Sequence, residues 1–159
     1  MPEPFALDEF LPYRVAVLAG RLSREFSQVY QERFGLSRAE WRVMAHLSQE
    51  AEVSVREIHS RVDMDKSKVS RAATRLEEAG IVTKKISDSD RRLIVLALTD
   101  RGSAVMAELA RAAQAYHAEL IARLGPEAAA FLGGIDSLTA TGDGPTQRHA
   151  GLAPAPAGD

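Results

Sequence analysis

The chain of 159 residues contains no cysteine, which excludes disulfides, zinc-thiolate sites, iron-sulfur clusters and thiol redox switches. No stretch approaches the ~18 uninterrupted apolar residues of a membrane span, and none is expected to contact a membrane. Met1-Pro2-Glu3-Pro4-Phe5 has neither the basic nor the apolar part of an export signal. The cytoplasm is therefore the expected location. Enzyme signatures are missing too: there is no glycine-rich phosphate loop, no G-x-S-x-G elbow and no H-E-x-x-H, and Gly133-Gly134 falls inside a helical pattern. His46, His59, His117 and His149 are scattered without ligand spacing. These absences predict a globular, non-enzymatic protein that needs no cofactor and no metal.

The nearly balanced charge, 20 Lys+Arg against 22 Asp+Glu, hides an asymmetry. Ser54 to Gly102 carries 11 basic and 8 acidic residues, a net +3, whereas the remainder is net -5. A basic middle on an acidic chain predicts one anion-facing surface.

Apolar residues at Leu11, Val15, Leu18, Leu22, Phe26 and Val29 recur at helical spacing. Pro12 belongs in the first turn of that helix, and Gly35 lies just past its end. Ser37-Arg38-Ala39-Glu40 reads as a capping box, with Leu36 and Trp41 as its hydrophobic staple. The same signature recurs at Ser54-Val55-Arg56-Glu57 and more weakly at Asp65. The helix opened by Ser54 runs to about Val62, and the next runs from Lys66 to Ala79 with Gly80 as its C′ residue. Two short helices about a tight Asp63-Met64-Asp65 turn predict a helix-turn-helix.

After Gly80 the pattern turns to β-branched and aliphatic residues over Ile81–Ser87 and Leu93–Leu98, separated by the polar Ser87-Asp88-Ser89-Asp90-Arg91-Arg92. This predicts a β-hairpin with a charged tip. Thr99 can cap a long helix striped by Val105, Leu109, Ala113, Tyr116, Leu120 and Leu124; Gly125-Pro126 ends it and starts another with Phe131, Leu132, Ile135 and Leu138 apolar. Beyond Leu138, 12 of 21 residues are Gly, Pro or Ala, so residues 139–159 are expected to form a disordered tail. The expected fold is mainly α with a small β-hairpin wing: a winged helix-turn-helix over 37–102, wing hairpin 81–98, flanked by long helices at 5–36 and 103–138 in a single domain, 5–138.

On the helix from Lys66, Val69, Ala73 and Leu76 form the expected buried stripe. Lys66, Ser67, Lys68, Ser70, Arg71, Thr74 and Arg75 remain outside it. Short hydroxyls and cations on one face suit the major groove of B-DNA, although a merely solvated amphipathic helix has the same pattern. In the hairpin, Lys84 and Lys85 on the first strand and Arg91 and Arg92 at the tip outnumber Asp88 and Asp90. Asp90, two residues from Arg92, can hold that guanidinium extended for the narrow minor groove. A charged hairpin can also serve only to discourage edge-to-edge pairing.

Val69-Ser70-Arg71, Leu76-Glu77-Glu78-Ala79-Gly80-Ile81-Val82, Asp88-Ser89-Asp90-Arg91-Arg92 and Leu96-Ala97-Leu98-Thr99-Asp100-Arg101-Gly102 together resemble the MarR family of bacterial transcriptional regulators. The resemblance covers about Leu7 to Leu138. It implies a homodimer bound to double-stranded DNA, with recognition helices in successive major grooves of a pseudo-palindrome and wing arginines in the flanking minor grooves. Ser67, Lys68, Ser70, Arg71 and Arg75 match the recognition face, and Asp90 with Arg92 the wing pair. It further implies a regulator, acting as a repressor, released from its operator by a small aromatic, anionic or acyl-CoA effector. The apolar stripes of the two end helices also ask for a partner subunit. For the effector, Phe10, Arg14, Val17 and Arg21 form a second line on the first helix, and Trp41 and Met44 can supply apolar walls. Arginines on such a helix can instead pair with acids or lie over the core. A winged-helix protein-interaction module without a DNA role is the alternative.

Overall fold

The computed structural model describes residues 4–62 and 64–140. Six α-helices and three short strands follow one another along the described residues: α1 (Leu11–Phe34), α2 (Arg38–Leu47), β1 (Val53–Ser54), α3 (Val55–Arg61), α4 (Lys66–Glu78), β2 (Val82–Ile86), β3 (Ile94–Leu98), α5 (Asp100–Leu124) and α6 (Ala128–Thr139). The chain forms two compact units divided after Tyr116, inside α5, where the sequence led us to expect one domain.

The helix boundaries lie where local chemistry puts them. Pro12 occupies the first turn of α1, and Gly35 closes the helix in the left-handed region at φ 64°, its N–H bonded to the Gln31 carbonyl. Both capping boxes form: the Ser37 hydroxyl accepts from the Glu40 N–H while the Glu40 carboxylate accepts the Ser37 N–H at 2.7 Å. Ser54 and Glu57 do the same for α3, and these bonds, to the backbone N–H first, hold the Glu57 carboxyl below its ordinary pKa. Asp65 caps α4 through the Lys68 N–H.

In the first unit, Val69, Ala72, Ala73 and Leu76 of α4 meet Val43, Met44 and Leu47 of α2 in a core that also takes in Tyr30, Ile58, Leu96 and Leu109. The predicted hairpin is present, with Val82 opposite Leu98 and Ile86 opposite Ile94. An unexpected third strand, β1, pairs on the other edge of β3, Val53 opposite Leu96. Thr99 ties the sheet to α5. Its hydroxyl bonds the Gly80 carbonyl at 2.6 Å and accepts the Gly102 N–H at 3.0 Å. A Cβ on Gly102 would stand 2.0 Å from the Ile81 carbonyl oxygen, which explains glycine there.

The first half of α1 leaves Phe10, Leu11, Tyr13, Val15, Val17 and Leu18 exposed. The second unit comprises the end of α5, a turn at Gly125–Glu127 and α6. Phe131, Leu132, Ile135 and Leu138 of α6 are exposed as well. Thr139, expected to open a tail, instead closes α6, and its hydroxyl donates to the Ile135 carbonyl at 2.9 Å. The rest of that expected tail, from 141 on, lies outside the described residues. No helix among the described residues is long and apolar enough to cross a membrane.

Candidate nucleic-acid interface

Successive residues of an α-helix turn by about 100°. With Val69, Ala72, Ala73 and Leu76 buried, the direction opposite the core falls on Ser67, Arg71 and Thr74, all exposed. Lys66 and Ser70 are exposed on one flank and Lys68 on the other. The Asp65 carboxylate accepts the Ser67 hydroxyl at 2.6 Å and lies 3.8 Å from the Lys68 ammonium. The Ser67 bond and then the Lys68 N–H hold its pKa below the ordinary value.

Arg75 departs from the predicted face. Its Nε donates to Glu40 Oε1 at 2.6 Å, turning the guanidinium toward α2 and away from the outward surface. Glu40 is 7% exposed, and the pair supplies a buried carboxylate with its cation. Arg75 therefore braces the helix that carries the face.

The hairpin keeps the expected pair. Asp90 Oδ1 accepts the backbone N–H of Arg92 at 3.0 Å and its Nε at 3.2 Å, with Nη2 3.5 Å from Oδ2. The Arg92 side chain stays 90% exposed while so held. The Asp90 pKa is lowered by the Arg92 N–H first and its guanidinium second, with a further contribution from Arg56. Arg91 is exposed beside it. The Lys84 ammonium donates to Thr74 Oγ1 at 2.8 Å, which joins the wing to α4. Lys85 pairs with Glu52, so its charge is offset. Arg56, in the first turn of α3, was missed by the sequence reading. Its signal is its place one residue past the start of a capped helix that pairs through β1 with the wing.

The residues expected to form an effector pocket do not gather. Phe10, Arg14, Val17 and Arg21 are all exposed along α1, and Arg21 pairs with Glu25 at 3.2 Å. Met44 is fully buried in the α2–α4 core and is not among the residues lining the cavity that holds Trp41. Trp41 lines that cavity, of about 240 Å³, with Leu22, Ser23, Phe26, Tyr30, Arg38 and Arg42. Tyr30 stacks on Trp41 at 5.8 Å between ring centres, and Tyr116 stacks on Phe26 at 5.5 Å. Burial raises the Tyr30 pKa, and Arg38 and Arg42 partly offset this. The two arginines were legible as an i, i+4 pair flanking Trp41, but they were not selected.

A family model for the MarR family matches residues 34–93, the helix-turn-helix and most of the wing. The transcriptional repressor MdtR of Bacillus subtilis is 31% identical over 96 residues, covering 60% of this chain and 62% of the repressor's own length. A MarR family transcriptional regulator from Silicibacter pomeroyi superposes with a TM-score of 0.72 at 28% identity, over 84% of this chain and 88% of that one. BpsR of Bordetella bronchiseptica, whose DNA binding is regulated by 6-hydroxynicotinic acid, shares the fold with a TM-score of 0.74 at 18% identity, over 88% of this chain and 99% of its own. By motif, by sequence and by fold, the chain is similar to the MarR family of transcriptional regulators, and the family match itself spans residues 34–93.

Proposed function

We propose that the chain is a sequence-specific regulator that binds double-stranded DNA as a homodimer and represses transcription until a small effector releases it. The observation that carries the DNA reading is the pairing of two exposed basic elements: the Ser67–Arg71–Thr74 face of α4, and Arg92 held outward by Asp90. A protein-only module has no physical need for both. The helix face has the donors and acceptors that read base edges in a major groove, and the wing cation suits the electronegative minor groove.

The apolar surface of α1, from Leu11 to Leu18, supports the dimer, because a soluble monomer gains nothing from so continuous an exposed patch. Two recognition helices related by a two-fold axis would then read half-sites about 34 Å apart. For the effector, the cavity around Trp41 combines stacked rings with Arg38 and Arg42, a chemistry suited to an aromatic anion. That BpsR responds to 6-hydroxynicotinic acid and that MdtR is a repressor accord with this reading.

Selection of duplexes from a random pool, with protein mass measured by light scattering, tests it. The expected result is a pseudo-palindromic consensus bound by a dimer. A pool that never enriches, or a monomer bound to an asymmetric site, would overturn it.

A further inference from the structure

A second cavity, of about 360 Å³, opens among the end of α1, the end of α4 and the first turn of α5. It shares no lining residue with the cavity around Trp41. Arg33, Arg75 and Arg101 line it against a single acid, Glu40. Both Glu40 oxygens are already engaged, Oε1 by Arg75 and Oε2 by the Ser37 N–H. Glu40 thus offsets one cation of the three. Among the described residues, Arg33 and Arg101 make no ion pair.

Backbone dipoles reduce the surplus without removing it. The carbonyl ends of α1 and α4 each bring about half a negative charge, and the N-terminal turn of α5 about half a positive one. Two formal positive charges therefore fall only to about one and a half. The remaining walls include Phe34, Leu36, Leu76, Ile81 and Val105. Cations and apolar walls lining one cavity are the complement of an amphiphilic anion.

We propose that this cavity binds a small organic anion, a carboxylate or phosphate monoester with an apolar body, clamped by Arg33, Arg75 and Arg101. The Nε of Arg75 stays with Glu40, and its two Nη groups make no hydrogen bond among the described residues, so they are available to the anion. Occupancy would tie the far end of α4 to α1 and α5. The site stands independently of the DNA reading, since its test uses the full chain without DNA.

Calorimetric titration with phenyl phosphate, in a buffer free of phosphate and sulfate, tests it. Phenyl phosphate should bind the wild-type chain, and the Arg33→Ala/Arg101→Ala variant should bind it at least about tenfold more weakly. Inorganic phosphate and phenol should each bind more weakly than the combined molecule. Equal affinity in the variant, inorganic phosphate binding as tightly as phenyl phosphate, or no binding at millimolar concentration would overturn the site. Should the variant fail to fold, side-chain NMR of the wild type decides: phenyl phosphate must shift the Nε–H resonances of Arg33 and Arg101, and unmoved resonances would contradict the assignment.

Discussion

Glu40 and Arg75, 35 residues apart, meet at 2.6 Å across the α2–α4 contact. The same carboxylate completes the cap of α2, so one buried acid fixes the start of α2 and the orientation of the helix that presents Arg71. Arg75→Ala should lower the unfolding free energy by about 1–3 kcal/mol, because it strands a buried carboxylate. DNA affinity should fall with it, while the slope of log affinity against log salt should stay unchanged if, with its Nε held by Glu40, Arg75 braces α4 instead of contacting a DNA phosphate. Urea unfolding and salt-titrated anisotropy measure the two effects, and a shallower slope in the variant would return Arg75 to the DNA face.

Arg92→Ala should weaken binding to a selected duplex by about 1–3 kcal/mol. Its side chain is 90% exposed and bonds only its own turn, so the thermal midpoint should hardly move. A large loss of stability, or unchanged affinity, would remove the wing from the interface.

Gly102→Ala should destabilise the first unit by about 3 kcal/mol or more, since the new methyl group meets the Ile81 carbonyl oxygen at 2.0 Å. Circular dichroism melts measure this directly. A neutral result would mean that α5 can slide off the sheet at no cost.

The pH response follows from the direction of the carboxylate shifts. Asp90 and Glu57 titrate below their ordinary values of 3.8 and 4.5. Their bonds are therefore fully present above those values and are lost only as pH falls through the lowered ones. Carboxyl NMR titration should give an Asp90 midpoint below 3.8 in the wild type and a higher one in Arg92→Ala. Identical midpoints would mean that the pair does not form in solution.

What was legible in the sequence is what local chemistry decides. The caps at Ser37 and Ser54, the Gly35 and Gly80 ends and the Asp90–Arg92 turn each depend on residues within about four positions, and each is present. What escaped depends on distant partners. Arg75 leaves the outer face because Glu40 lies across from it. Lys84 and Lys85 read as two free cations until Thr74 and Glu52 are brought beside them. β1 is two residues long and pairs with Leu96 and Val95, far too short for an alternation pattern. Met44 and Trp41 looked equivalent as pocket walls, but only packing against α4 shows that one is sealed in the core.

The most direct test of the central claim is the affinity of the protein for its selected duplex as salt rises, for the wild type and for Arg71→Ala. We predict a linear fall of log affinity with log salt. We also predict that Arg71→Ala loses more affinity for the selected sequence than for random DNA. A salt-independent affinity, or equal losses on both DNAs, would contradict an α4 face that reads bases.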